Sequence, residues 1–205
     1  MWSITFSFNS FSYSSQISSN GYITVDKAVS SRVIKFPTTH TTLSPYSIDM
    51  ISNGNDIFYR ETTNTAVLET VDRDIALLLS KNASGPTIFN TRKAVIVTYS
   101  NVASYSSSST RLKYQAVIAT DYRDTFTIVN YHRLDQTGSG SSGFFERGTC
   151  QINTKLFSNS FDKRALTTTS NVGVQGKHIY QLSYNTDDDD CFNRGGTIHI
   201  VISYY

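Results

Sequence analysis

Ala94-Val95-Ile96-Val97-Thr98-Tyr99 is the stretch that most limits what this chain can fold into. Five of its six residues are apolar and four are β-branched. Successive side chains on a strand point to opposite faces, so an unbroken apolar run is buried on both. Its sheet therefore needs cover on two sides. Residues 64–79, just upstream, read as an amphipathic helix. Val67, Leu68, Val71, Ile75, Leu78 and Leu79 form one apolar stripe, and Asn64 is suited to the N-cap. A short strand, Asp56 to Glu61, precedes that helix. Leu112–Ala119 and Thr125–Tyr131 follow as a hairpin joined through Asp121-Tyr122-Arg123-Asp124.

The remaining chain is predicted to be mostly strand and loop. Residues 2–8 alternate strictly, with Trp2, Ile4, Phe6 and Phe8 on one face. The pattern loosens over 9–19. Asn20-Gly21 is read as a type I′ turn into a strand over 22–25. Val33 to Phe36 is a further strand, stopped by Pro37, with polar loop to Ser44 and extended chain over 45–51. Asn53-Gly54 is a turn, Ser106–Ser109 a loose loop, and Gly138–Gly143 a flexible loop. Weaker strands fall at 151–157 and 178–184. The apolar end, 197–204, is expected inside a sheet rather than at its edge. The fold class is α+β: a mostly antiparallel, sandwich-like domain with one amphipathic helix packed on the sheet.

Composition narrows the role. Aromatics make up 13% of the 205 residues and charged residues only 17%, a globular and weakly charged mixture. A net charge of +2 gives no basic field that argues for nucleic acid or an anionic membrane. No apolar run approaches the roughly 18 to 20 residues that span a bilayer. The first eight residues lack a signal-peptide pattern, which leaves a cytosolic protein or a mature or recombinant chain.

A search for chemistry returns little. His40, His132, His178 and His199 are scattered, without HExxH spacing. The glycines at 138–143 match neither G-x-S-x-G nor a phosphate loop. His132 and Asp135 beside a Ser-rich loop make a triad on paper only. No catalytic residue is assigned. Asp187-Asp188-Asp189-Asp190 reads either as a solvated acidic loop or as a calcium site, the latter if carbonyls or Asp49 converge on it. No other cofactor is expected. Asn82-Ala83-Ser84 is a glycosylation sequon on Asn82 if the protein is secreted.

Several phrases resemble, in order, the NIDO domain, the extracellular module of nidogen (entactin), alpha-tectorin and some membrane mucins. They are Ser19-Asn20-Gly21-Tyr22-Ile23, Ser44-Pro45-Tyr46-Ser47-Ile48-Asp49 and Ile57-Phe58-Tyr59-Arg60-Glu61-Thr62. After the helix come Tyr114 to Asp121, Phe126 to Tyr131, Gly143-Phe144 and Ser170 to Lys177. The resemblance covers residues 19–184, with a strand added at each end, 2–8 and 197–204, in one domain over 1–205. Ser47 stands where the family often has an aromatic residue, and Leu134-Asp135 where a Trp is common.

The resemblance implies a secreted, non-enzymatic structural or adhesion protein. Its partners would be other extracellular proteins or copies of itself, in a matrix or filament. It favours a disulfide between Cys150 and Cys191 over two unrelated buried thiols. They lie 41 positions apart, so chain entropy puts the gain at roughly 3 to 4 kcal/mol. Asp49, Arg60 and Glu61, with Tyr59, are expected to form a structural motif with an ion-pair network at a sheet edge. The alternative is a secreted lectin-like module, in which Tyr122-Arg123-Asp124 or Tyr184-Asn185 stacks on a sugar.

Overall fold

The computed structural model describes residues 2–8, 11–24, 33, 34, 36, 38, 40–52, 56–81, 88–135, 140–147, 151–157, 162–183 and 199–202. In chain order the strands begin with β1 (Trp2–Phe8), β2 (Phe11–Ile17), β3 (Ile23–Thr24), β4 (Thr42–Ser47), β5 (Met50–Ile51) and β6 (Ile57–Thr62). Helix α1 (Thr65–Leu79) follows, then β7 (Lys93–Ser104), β8 (Ser107–Thr120), β9 (Thr125–Leu134), β10 (Ser141–Arg147) and β11 (Gln151–Leu156). Helix α2 (Lys163–Thr168), β12 (Lys177–Ser183) and β13 (His199–Ile202) complete the series.

Two sheets pack face to face. The first has the order β1-β2-β3-β4-β10-β11-β13, and the second the order β12-β9-β8-β7. The short β5 and the longer β6 both pair with the outer side of β7, at Ser104 and at Tyr99 to Ala94 respectively. Pairing is antiparallel throughout except between β11 and β13.

The apolar run in β7 is covered on both faces, as its sequence predicts. Val95, Val97 and Tyr99 enter the core between the sheets, with Ile17, Ile23, Leu43, Tyr46 and Val129. Ala94 and Ile96 face the other way, into a second core closed by Leu68, Val71, Ile75 and Leu79 of α1. The Asn64 side chain accepts from the Val67 N–H at 3.3 Å and caps that helix. Asp72 ties the helix to the start of β7 by accepting from Thr91 N at 2.8 Å and Thr91 Oγ1 at 2.5 Å.

Several expectations are corrected. Residues 11–17, where the alternating pattern loosens and no strand is predicted, form β2, paired along the length of β1. Ser106–Ser109 is not a loose loop, because Ser104 pairs with Ser107 and β8 starts there. The glycine- and serine-rich stretch ends in strand β10 from Ser141, and β4 already starts at Thr42. Val33, Ile34 and Phe36 lie outside any strand. Ile34 is nevertheless buried, with its N–H donating to Ser47 Oγ at 2.9 Å. Asn20-Gly21 is not a type I′ turn: Ser18 O accepts from Gly21 N, and of the pair Gly21 alone has positive φ, at 79°. That is a type I turn closed by a left-handed glycine. Strand β13 lies at the edge of its sheet, with β1 at the other. Helix α2 has no counterpart in the sequence reading; Asp162 caps it by accepting from Arg164 N and Ala165 N.

Candidate functional site

The family-like phrases converge on one buried cluster of tyrosines between the sheets. Tyr99 on β7, Tyr114 on β8 and Tyr131 on β9 stand side by side on the inner face of the second sheet. The Tyr99 and Tyr114 rings stack at 4.6 Å and 16°, and Tyr131 lies 6.2 Å from Tyr114. Each hydroxyl crosses to a backbone carbonyl of the first sheet or its turns. Tyr99 donates to Ser18 O at 2.8 Å, Tyr114 to Tyr46 O at 3.1 Å, and Tyr131 to Pro45 O at 2.5 Å. Tyr46 completes the cluster by accepting from Gly140 N at 3.2 Å. A tyrosine here fills apolar volume and adds a hydrogen bond from its hydroxyl across the core.

Two glycines make that approach feasible. A Cβ on Gly21 would lie 2.0 Å from Tyr46 O and 2.5 Å from the Tyr114 hydroxyl, besides requiring positive φ. A Cβ on Gly140 would sit 2.4 Å from the Tyr46 ring. Asn20 fastens the same turn to β5, since its Oδ1 accepts from Met50 N at 2.9 Å.

The 170–177 phrase is a second brace. Ser170 Oγ accepts from Val172 N and Val174 N and donates to Lys177 O. Asn171 meets both backbone groups of Ile179, at 2.6 and 2.9 Å, as a neighbouring strand would. His178 is buried beside Tyr131 and Tyr180. Its Nε2 lies 3.1 Å from Leu166 O, and a carbonyl only accepts, so Nε2 carries the proton. Burial holds its pKa below the ordinary imidazole value, opposed by backbone bonds to Leu166 and Thr169. Burial also pushes the Tyr99, Tyr114 and Tyr131 phenols well above the usual range.

The residues singled out in the sequence are spread rather than gathered. Glu61 pairs with Lys93 at 2.6 Å, in place of an Arg60–Glu61–Asp49 network. Arg60 and Tyr59 are exposed on β6, and Asp49 contributes its backbone carbonyl to Tyr105 N at 2.9 Å. Asp135 pairs with Arg133, and His132 is exposed, so the paper triad does not form. Asn82, Cys150, Cys191 and Asp187–Asp190 lie outside the described residues. So do Asn53-Gly54 and Tyr184-Asn185. Among the described residues no three His, Cys, Asp or Glu side chains are grouped to hold a metal ion. No described helix is long and apolar enough to cross a membrane.

The tyrosine cluster escaped the sequence reading because its partners are far away. Tyr99 and Ser18 are 81 positions apart, and Tyr131 and Pro45 are 86 apart. The available signal was parity: these tyrosines all fall on the strand face that carries the inter-sheet core.

A helix-backed β-sandwich clasped by buried tyrosines is thus what these phrases build. The chain matches the nidogen-like domain (NIDO) family over residues 13–184 and belongs to it. Mouse alpha-tectorin is 32% identical over 134 residues, covering 62% of this chain and 6% of that protein. Human and chicken alpha-tectorin are 31% and 32% identical over the same length. The chain thus spans a small fraction of these relatives. No solved structure matches it.

Proposed function

We propose that this domain is a non-enzymatic, extracellular structural or adhesion module that works through protein contacts, including contacts between copies. The observation that carries the reading is the family match over residues 13–184. The use of the family phrases supports it. Their polar groups are engaged in folding: Asn20, Asn171, Ser170 and the tyrosine hydroxyls all bond to backbone. The side chains left free for contact are large and aromatic, such as Phe58, Tyr59 and Tyr105. Aromatic side chains of this kind are enriched in protein interfaces.

An extracellular setting carries three further expectations. Cys150 and Cys191 form a disulfide. Asn82 carries glycan in a eukaryotic secretory host. Asp187–Asp190 are either a solvated acidic loop or, if carbonyls or Asp49 converge on them, a calcium site. Negative-stain electron microscopy of the secreted protein, with and without chelator, tests the reading. Filaments or large particles support it, and their loss on chelation assigns the acidic run. Single small particles under every condition contradict assembly between copies.

One observation favours a second reading, a lectin-like binding module. Tyr122 is 55% exposed yet held at φ 76°, a conformation that L residues other than Asn and Asp seldom adopt. Asp121 Oδ1 fixes the turn by accepting from Arg123 N and Asp124 N. Glycan-array binding that disappears in Tyr122→Ala supports this reading, and a blank array removes it.

A further inference from the structure

Strand β6 is unusual for the margin of a sheet. It pairs with β7 on one side, and β7 is its strand partner among the described residues. Its middle four residues are exposed on both faces. Phe58 and Tyr59 are 57% and 49% exposed. Edge strands are ordinarily blunted by proline, inward charge or a covering element, because unpaired N–H and C=O groups template further pairing. Here two large aromatics stand beside one Arg and one Glu, exposed at the same margin.

The register with β7 assigns the faces. Tyr59 lies opposite Val97, which enters the core between the sheets, and Ile57 opposite Tyr99. Ile57, Tyr59 and Glu61 therefore face the first sheet. Phe58 and Arg60 lie opposite Thr98 and Ile96 and so face the α1 side.

We propose that β6 is a self-pairing edge, which takes β6 of a second copy in antiparallel register about a two-fold axis at Tyr59. The inference rests on the contact reading above and names its surface. A two-fold axis perpendicular to a sheet keeps each face on its own side. The residue at the axis must then oppose its own counterpart, so only whole-residue centres exist. A centre at Arg60 or Glu61 sets like charges against each other. A centre at Phe58 leaves only Ile57 to Tyr59 within the paired strand. A centre at Tyr59 pairs Ile57 through Glu61. It sets Tyr59 against Tyr59 and, on the α1 side, Arg60 against the Phe58 ring of the other copy, twice. Both contacts are favourable cross-strand pairs. The strand also carries one cation and one anion, so two copies meet without net repulsion.

Sedimentation of the full chain over a concentration series, with the double variant Phe58→Lys/Tyr59→Lys alongside, tests the interface. Both positions are exposed, and a thermal melt confirms that the variant is folded. Single cysteines at 58, 59, 60 and 61 test the register, against the wild-type protein as the cross-linking background. At the axis two thiols face each other within bridging distance, whereas Phe58→Cys copies sit two residues out of step, with Cα atoms about 7 to 8 Å apart. The expected result is a reversible dimer that the double variant abolishes, and cross-linking that peaks at Tyr59→Cys. A peak at another position overturns the register. Association that the double variant leaves unchanged overturns the β6 edge while assembly between copies stands. A wild-type protein that stays monomeric throughout overturns self-pairing, and leaves the contact reading to a different partner protein.

Discussion

The Tyr114 hydroxyl donates to the carbonyl oxygen of Tyr46 at 3.1 Å, joining the middle of one sheet to the other across 68 positions of sequence. Tyr114→Phe keeps the ring and removes that hydrogen bond, at a cost of about 1 kcal/mol. Tyr99→Phe costs a similar amount through Ser18 O. The two rings stack on each other, so the double variant is expected to be non-additive, and denaturant unfolding of the four proteins measures the coupling.

Gly21 and Gly173 both have positive φ, at 79° and 85°, but differ in their surroundings. Nothing approaches a Cβ on Gly173, whereas Gly21 faces Tyr46 O and Tyr114. Gly173→Ala should cost about 1 to 2 kcal/mol, from backbone conformation alone. Gly21→Ala should exceed about 4 kcal/mol, or prevent folding, because it separates the sheets as well. Equal effects in urea unfolding would refute the close approach.

His178 predicts an acid-sensitive fold. Its folded-state pKa lies below the unfolded value, so the contribution of the neutral ring is complete above about pH 6.5. It is lost as pH falls below that, where the unfolded chain takes up a proton that the buried ring refuses. Stability measured between pH 7.5 and 5, as round working limits, should fall more steeply in the wild type than in His178→Gln. The glutamine side chain keeps a donor for Leu166 O and does not titrate.

Tyr122→Gly should stabilise the protein by roughly 0.5 to 1 kcal/mol, since glycine accepts positive φ without strain but loses more chain entropy. If the tyrosine is kept for its side chain, the same variant loses whatever ligand the hairpin tip binds. A thermal melt and a binding assay on one preparation separate the two effects.

How much of this was legible beforehand depends on the range of the interaction. Helix α1 follows from its own apolar stripe and the Asn64 cap, both local, and the double burial of β7 from its own run of β-branched residues. Strand β2 and the start of β8 were missed for the opposite reason. Ser107–Thr110 is all Ser and Thr, and Phe11–Ile17 mixes three serines and a glutamine with its apolar residues; the pairing of both is set by the strands β7 and β1 beside them. Helix α2 is six residues long, too short to show a periodicity, and only its Asp162 cap marks it. In the tyrosine cluster the residue type and its partner sit in different thirds of the chain. Glu61 shows the limit for charge: Arg60 is its neighbour in sequence, yet Arg60 points to the other face, and Lys93 on the next strand takes the pair.

Light scattering of the native protein across a concentration series tests the proposal most directly at its self-association, the contacts between copies. The account predicts a mass that rises reversibly with concentration beyond that of one chain. A mass that stays at 22.9 kDa at every concentration would contradict it.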